Sequence, residues 1–247
     1  MIKIGNALLG KTPAVAVTVT DFIPAAEIRK AKQKAGVCLL LEIRIDRFRR
    51  LEENYIVSKI HSFKKLRLPL IATIRSAQEG GARKLSDSIR LKIFRRVLPL
   101  VNALDIELAS TRLRKNLVPL ARRLKKKTIL SYHHFASTPS ERAMIHLIQR
   151  AKRAGADIVK MAVTPKSKSD LARLLLVANQ YRDKNLIMIA MGRLGTPSRV
   201  LAPLLGSLLT YTFAGKKPQA PGQLSLRRAT EHFRLYRVWK RRGQTWT

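Results

Sequence analysis

TILSYHHFASTPSERAMIHLIQRAKRAGADIVKMAV, residues 128–163, is the stretch that decides the fold. It opens with a short apolar run, Thr128–Tyr132, and closes with another, Asp157–Val163; between them apolar residues recur at helical spacing over Ser140–Ala154. Both runs lack the polar alternation of a half-exposed strand, which is how a parallel strand covered on both faces reads. Thr138-Pro139-Ser140-Glu141 supplies cap residues and an early proline at the helix start. Strand, helix and strand in this order make one βαβ unit with parallel strands.

Outward from that unit the same alternation fills the chain. Strands are predicted at Ala14–Val19, Val37–Ile45, Leu70–Ile74, Ala103–Leu108, Leu186–Met191 and Leu208–Phe213, giving eight with the two above. Helical spacing covers Ala25–Ala35, Glu52–Phe63, Asp87–Val101, Thr111–Lys125, Ser167–Gln180 and Ser198–Leu205, with a start signal at Thr196-Pro197-Ser198, and Leu224–Trp239 closes the series. Eightfold alternation in 247 residues predicts an α/β chain folded as a closed (β/α)8 barrel, a TIM barrel of eight parallel strands. A doubly wound open sheet is the alternative. No repeat, low-complexity tract or linker divides the sequence, so residues 1–247 are expected to form a single domain.

The charge is unusual: 50 Lys and Arg against 15 Asp and Glu leave a net +35 and a pI near 11.5. Such a field attracts anions of every kind, nucleic acid included. The basic residues are spread along the chain, which favours solvated faces and, at most, non-specific nucleic-acid binding. The run Arg122-Arg123-Leu124-Lys125-Lys126-Lys127 reads as a helix end, where cations face the dipole, and Lys240-Arg241-Arg242 is a second run. Cys38 is the only cysteine, which excludes an intrachain disulfide and a cysteine zinc cluster and fits a reducing cytoplasm. Residues 1–24 lack a basic segment followed by a long apolar core, and no apolar run reaches the roughly 18 residues of a membrane span. The nearest, Val200–Gly215, is broken by Pro203 and Gly206 and reads as a short helix followed by a buried strand.

In a parallel barrel, chemistry gathers at the carboxyl ends of the strands. Glu42 and Arg44 close the second predicted strand, and Arg75 closes the third, leading into Ser76-Ala77-Gln78-Glu79-Gly80-Gly81. His133 and His134 follow the fifth, Lys160 lies in the sixth, Arg199 follows the seventh and Gln223 the eighth. Lys160, flanked by Val159, Met161, Ala162 and Val163, is placed where apolar surroundings and arginines favour a neutral amine, the form that condenses with a ketone. The alternative is a strand-end lysine reaching for solvent. A histidine here can take and return a proton near neutral pH, and Glu79 could orient its ring. Sequence alone ranks His133 and His134 equally, whereas His61, His146 and His232 lie in helical stretches. No carboxylate or histidine at ligand spacing accompanies the pair, so no metal is expected. Arg44, Arg75 and Arg199 suit a small anionic, hydroxylated ligand.

Six segments in order resemble the type I 3-dehydroquinate dehydratase family over nearly the whole chain: Leu41–Asp46, Thr73–Gly81, Ser131–Phe135, Ala156–Val163, Ser198-Arg199 and Ala220–Gln223. The resemblance implies a cofactor-free hydro-lyase of the shikimate pathway, which leads to chorismate and the aromatic amino acids. It implies that Lys160 forms an imine with 3-dehydroquinate, that His133 moves the proton and that Glu79 holds His133. It also implies that Arg199 binds the substrate carboxylate while Thr18, Glu42, Arg44, Arg75, Gln219 and Gln223 place hydroxyls and ketone, with Phe135 and Met191 lining the pocket. A homodimer in the cytoplasm is the family expectation. Two positions depart from the pattern: His134 stands where Asp or Asn is common, and Gln219 where Ser is usual. The rival readings are another Schiff-base barrel lyase or aldolase, and a basic nucleic-acid-binding protein on an inactive barrel.

Overall fold

The computed structural model describes residues 1–10, 14–215 and 217–236. The end of the last predicted helix, up to Trp239, and the run Lys240-Arg241-Arg242 lie outside the described residues. An N-terminal hairpin of β1 (Ile2–Ile4) and β2 (Ala7–Leu9), not predicted from sequence, precedes β3 (Ala14–Val19) and α1 (Ala25–Ala35). There follow β4 (Cys38–Arg44), α2 (Glu53–Lys64), β5 (Leu70–Thr73), α3 (Asp87–Val97), β6 (Ala103–Glu107) and α4 (Thr111–Arg123). The second half runs β7 (Lys127–His134), α5 (Glu141–Arg153), β8 (Ile158–Val163), α6 (Lys168–Gln180) and β9 (Leu186–Ala190). It ends with α7 (Gly192–Gly195), α8 (Ser198–Leu204), β10 (Leu209–Phe213), β11 (Leu224–Ser225) and α9 (Leu226–Leu235).

All ladders of the large sheet are parallel, in the order β11, β10, β3, β4, β5, β6, β7, β8, β9. Between β9 and β10 the Leu208 N–H donates to the Leu186 carbonyl at 2.8 Å, so the eight main strands, β3 to β10, meet as the predicted barrel. The short β11 adds an outer rung beside β10.

Strand alternation sorts the side chains into two layers. In β3 the branched Val15, Val17 and Val19 join the core shared with the helices, whereas Ala14 and Ala16 join the barrel interior. Ile71, Ala103, Ile129, Ile158, Ile187 and Leu209 continue that interior, and Ile2, Ile4, Ala7 and Leu9 of the hairpin belong to the same cluster. The hairpin therefore buries apolar surface against the amino-terminal ends of the strands, leaving the polar mouth at the other end.

Two local expectations are corrected. His133 and His134 lie in β7, not after it, because β7 pairs with β8 as far as His134 with Val163. At the start of α8 Ser198 is not a cap: its hydroxyl accepts from Ala190 N–H at 3.0 Å and donates to the Gly195 carbonyl at 2.7 Å, tying the helix to β9. At α5 the expected cap is present, with Ser140 accepting from Ala143 N–H at 3.3 Å.

Candidate active site

Thr18, Glu42, Arg44, Arg75, Glu79, His133, Phe135, Lys160, Met191, Arg199, Gln219 and Gln223 all line one cavity of about 140 Å³ at the mouth. They arrive from many elements because each inward position at a strand end faces the same axis. His134 is not in the lining: its ring stacks on Tyr132 and its Nδ1 meets the Ser137 backbone at 3.0 Å.

Lys160 is buried at the centre of β8, and its Nζ donates to Asp105 at 2.8 Å and to Glu42 at 3.4 Å. Its Nζ also lies 4.1 Å from the centroid of the Tyr211 ring. The expected apolar setting is thus corrected: Val159, Met161 and Val163 alternate outward into the helix-facing core, while Lys160 points among carboxylates and an aromatic face. Burial alone would raise Asp105, but Arg75 and Lys160 overcome it and hold its carboxyl far below the usual range. Glu42 also accepts from Thr18 at 2.9 Å and Thr73 at 3.2 Å, and Gln223 donates to the Thr18 hydroxyl at 3.2 Å.

The three predicted arginines differ in availability. Arg44 gives two N–H groups to Asp46 at 2.9 and 2.8 Å. Arg75 donates to Glu107 at 3.0 Å, Ser131 at 2.7 Å and Asp105 at 2.8 Å, so both its terminal nitrogens are engaged, and Arg90 of α3 closes on Glu107 from behind. Arg199 has no carboxylate partner among the described residues: it donates to the Pro221 carbonyl at 3.1 Å, and its buried Nε is unpaired. Burial pushes its guanidinium down to about 10, which leaves it a cation at neutral pH.

His133 and Glu79 form the second centre. Glu79 Oε2 accepts the His133 backbone N–H at 3.0 Å and lies 2.8 Å from its Nδ1. With Glu79 ionised, that contact places the ring proton on Nδ1 and the lone pair on Nε2. Burial pushes Glu79 up to about 7, and the same burial, with Arg75 and Lys160, pushes His133 well down, so the ring stands neutral and ready to accept a proton. The turn after β5 holds Glu79 in place: Gly80, at φ +84°, is left-handed, and a Cβ there would lie 2.6 Å from the Phe135 ring.

The segment before β11 covers the cavity. Gly222, at φ +69°, packs so closely on the Gly192 carbonyl that a Cβ would come within 2.3 Å of it. Gln223 accepts from Gln219 N–H at 2.8 Å, and Gln219 in turn accepts from Arg47 at 3.2 Å. Arg47, Ile189 and Tyr211 line the cavity without having been singled out in the sequence, and Asp105 meets Lys160 beneath it. The available signal for Asp105 and Glu107 is an acidic residue at alternate positions of an otherwise apolar strand; Tyr211, in Leu209–Phe213, gives no such signal.

A closed parallel barrel with an amine, an imidazole–carboxylate pair and the guanidiniums of Arg47 and Arg199, each with an unpaired Nε, around a single small cavity belongs to the class of (β/α)8-barrel enzymes that work on small anions. Comparison with known proteins narrows the class. A family model described as Type I 3-dehydroquinase matches residues 14–239. The 3-dehydroquinate dehydratase of Thermodesulfovibrio yellowstonii is 34% identical over 92% of this chain and 97% of its own. Among solved structures, the 3-dehydroquinate dehydratase of Aquifex aeolicus is 32% identical, with a TM-score of 0.78 over 91% of this chain and 99% of that one. The type I enzyme of Clostridium difficile, solved with covalently modified comenic acid, is 26% identical, with a TM-score of 0.84 over 95% and 97%. The chain belongs to the type I 3-dehydroquinase family.

Proposed function

We propose that this chain removes water from 3-dehydroquinate to give 3-dehydroshikimate, as a hydro-lyase of the shikimate pathway, through an imine on Lys160. The observation that carries the reading is one cavity holding both Lys160 and the His133–Glu79 pair, with a buried Arg199 that has no carboxylate partner among the described residues, whereas Arg47 lies in the field of Asp46 and Glu42.

In the proposed cycle the Lys160 amine in its unprotonated form adds to the C3 carbonyl, and the carbinolamine takes up a proton and loses its oxygen as water to leave the iminium, whose charge the ionised Asp105 beside Nζ offsets. The iminium withdraws electrons from C2, so His133 Nε2 removes a C2 proton and the pair moves onto nitrogen as an enamine. Glu79 offsets the imidazolium that forms. The enamine electrons return and expel the C1 hydroxyl, which leaves as water with the proton from His133, a syn elimination. Water then hydrolyses the iminium, freeing product and Lys160. Arg199 holds the carboxylate; Thr18, Glu42, Arg44, Gln219 and Gln223 place hydroxyls and ketone, and Arg75 keeps Asp105 in register. Phe135 and Met191 line the pocket. The covalently modified ligand of the Clostridium difficile relative supports covalent chemistry in such a cavity.

Residues 1–247 would act as one catalytic domain in the cytoplasm. No helix among the described residues is long and apolar enough to cross a membrane, and a single cysteine suits a reducing compartment. The working form would be a homodimer, a reading supported by exposed Leu176 on α6 and Leu201 and Leu204 on the adjacent α8. Ultraviolet detection of the conjugated product on mixing enzyme with 3-dehydroquinate tests the activity. Turnover supports the reading; no turnover of 3-dehydroquinate alongside cleavage of an aldol substrate would replace it with an aldolase.

A further inference from the structure

The barrel end opposite the mouth carries a second cavity, of about 260 Å³, lined by Val118, Arg122, Lys125, Lys126, Lys127, Thr128, Gly155 and Asp157. Its single carboxylate, Asp157, is already held by Lys127 at 3.1 Å and by the Thr128 N–H and hydroxyl at 2.9 and 3.1 Å. Cations continue on either side. Lys126 feels the charge of Lys64 at the end of α2, and Lys152, which donates to the Asp157 carbonyl at 3.1 Å, feels first the carboxylate of Asp157 and then the charge of Lys184. Helix dipoles explain cations at helix ends one at a time. They do not explain neighbouring ends whose cations face one another, an arrangement that a bound polyanion would relieve.

We propose that this belt, Lys64, Arg122, Lys125, Lys126, Lys152 and Lys184, is a docking surface for the phosphate backbone of nucleic acid. Density of positive charge gives the affinity, and no aromatic residue lines the cavity to stack a base, so the contact is to phosphate and independent of sequence. Anionic membrane is the less suitable occupant, because Leu124, 39% exposed, is the one exposed large apolar side chain in the segment from Arg122 to Lys127. The belt lies at the far end of the barrel from Lys160, so the docked protein keeps an open mouth. The inference does not depend on the proposed reaction.

The test is fluorescence anisotropy of a labelled oligouridylate of about 20 nucleotides, between about 50 and 200 mM salt. Binding to wild type is compared with the triple variant Lys64→Glu, Arg122→Glu and Lys125→Glu, all exposed positions, and with Arg29→Glu, Lys30→Glu and Arg228→Glu on the opposite wall, which changes net charge equally. The belt variant should weaken binding about tenfold or more and flatten the log–log salt slope by about 2, since each single-strand phosphate contact contributes about 0.7. The control should change it far less, and dehydratase turnover should stay unchanged in both. Equal losses in the two variants, no loss in the belt variant, or displacement of the RNA by phosphatidylserine vesicles at matched charge would overturn the proposal.

Discussion

Arg199 is buried in the cavity wall with an unpaired Nε; Arg44 and Arg75 are tied to carboxylates, and Arg47, whose Nε is also unpaired, is half-buried, near Asp46 and Glu42, and bonded to Gln219, so the anionic group of the substrate falls to Arg199. Arg199→Ala should raise KM by the loss of a charge-assisted contact, about 1.5–3 kcal/mol, and Arg199→Lys should restore part of it. Steady-state kinetics check this, and an unchanged KM would place the carboxylate elsewhere. At the neighbouring centre, His133→Ala should lower kcat by roughly 10²- to 10⁴-fold, while His134→Asn stays active because His134 is turned into its own loop. Glu79 sits near 7 because it is buried, and only its ionised form offsets the imidazolium. Turnover should therefore fall as pH drops through about 7, and Glu79→Gln should lower kcat and flatten that acidic limb. A limb unchanged in Glu79→Gln would assign it to another group. The sequence made Lys160 legible as a lysine inside an apolar run, His133 with its equal His134 as polar residues closing one, and Arg199 as a cation in the segment after the seventh run. It hid their supports: Asp105 and Tyr211 act through strand pairing with distant segments, and Arg90 reads as an ordinary helix arginine although it is buried against Glu107.

The eight strands were legible to within a few residues because a parallel strand covered on both faces has to be apolar throughout. The hairpin of β1 and β2 was not, since three residues carry too little pattern to distinguish a strand from a loop. β7 was underestimated at its carboxyl end for a related reason: His133 and His134 break the apolar pattern but keep the pairing with β8. Polarity there reflects the mouth and not the end of the strand. Helix starts were read correctly where a serine hydroxyl caps the first turn, as at Ser140. Ser140→Ala should cost about 1 kcal/mol of stability, measured by urea unfolding, with kcat unchanged. Ser198→Ala should act differently, because that hydroxyl bridges β9 to the turn before α8 and removing it leaves the buried Ala190 N–H unpaired beside Arg199. An equal response of the two variants, in stability and in KM, would argue against the bridging role.

Seen whole, the molecule separates its tasks by the ends of the barrel. The interior below the cavity is filled by small and branched side chains and by the hairpin, so the polar cluster at the other end rests on an apolar base. The side wall carries Leu176, Leu201 and Leu204 exposed, and Leu176→Glu with Leu204→Glu should convert a dimer into a folded monomer in sedimentation velocity. A dimer unaffected by the pair would place the interface elsewhere. The imine mechanism turns on the amine at the centre of the mouth. Borohydride added with 3-dehydroquinate should inactivate the enzyme, because reducing the iminium fixes the ligand to the lysine as a stable amine, and peptide mass spectrometry should find the adduct on Lys160, with Lys160→Met giving neither adduct nor turnover. Full dehydratase activity in Lys160→Met, or an adduct on a different residue, would contradict it.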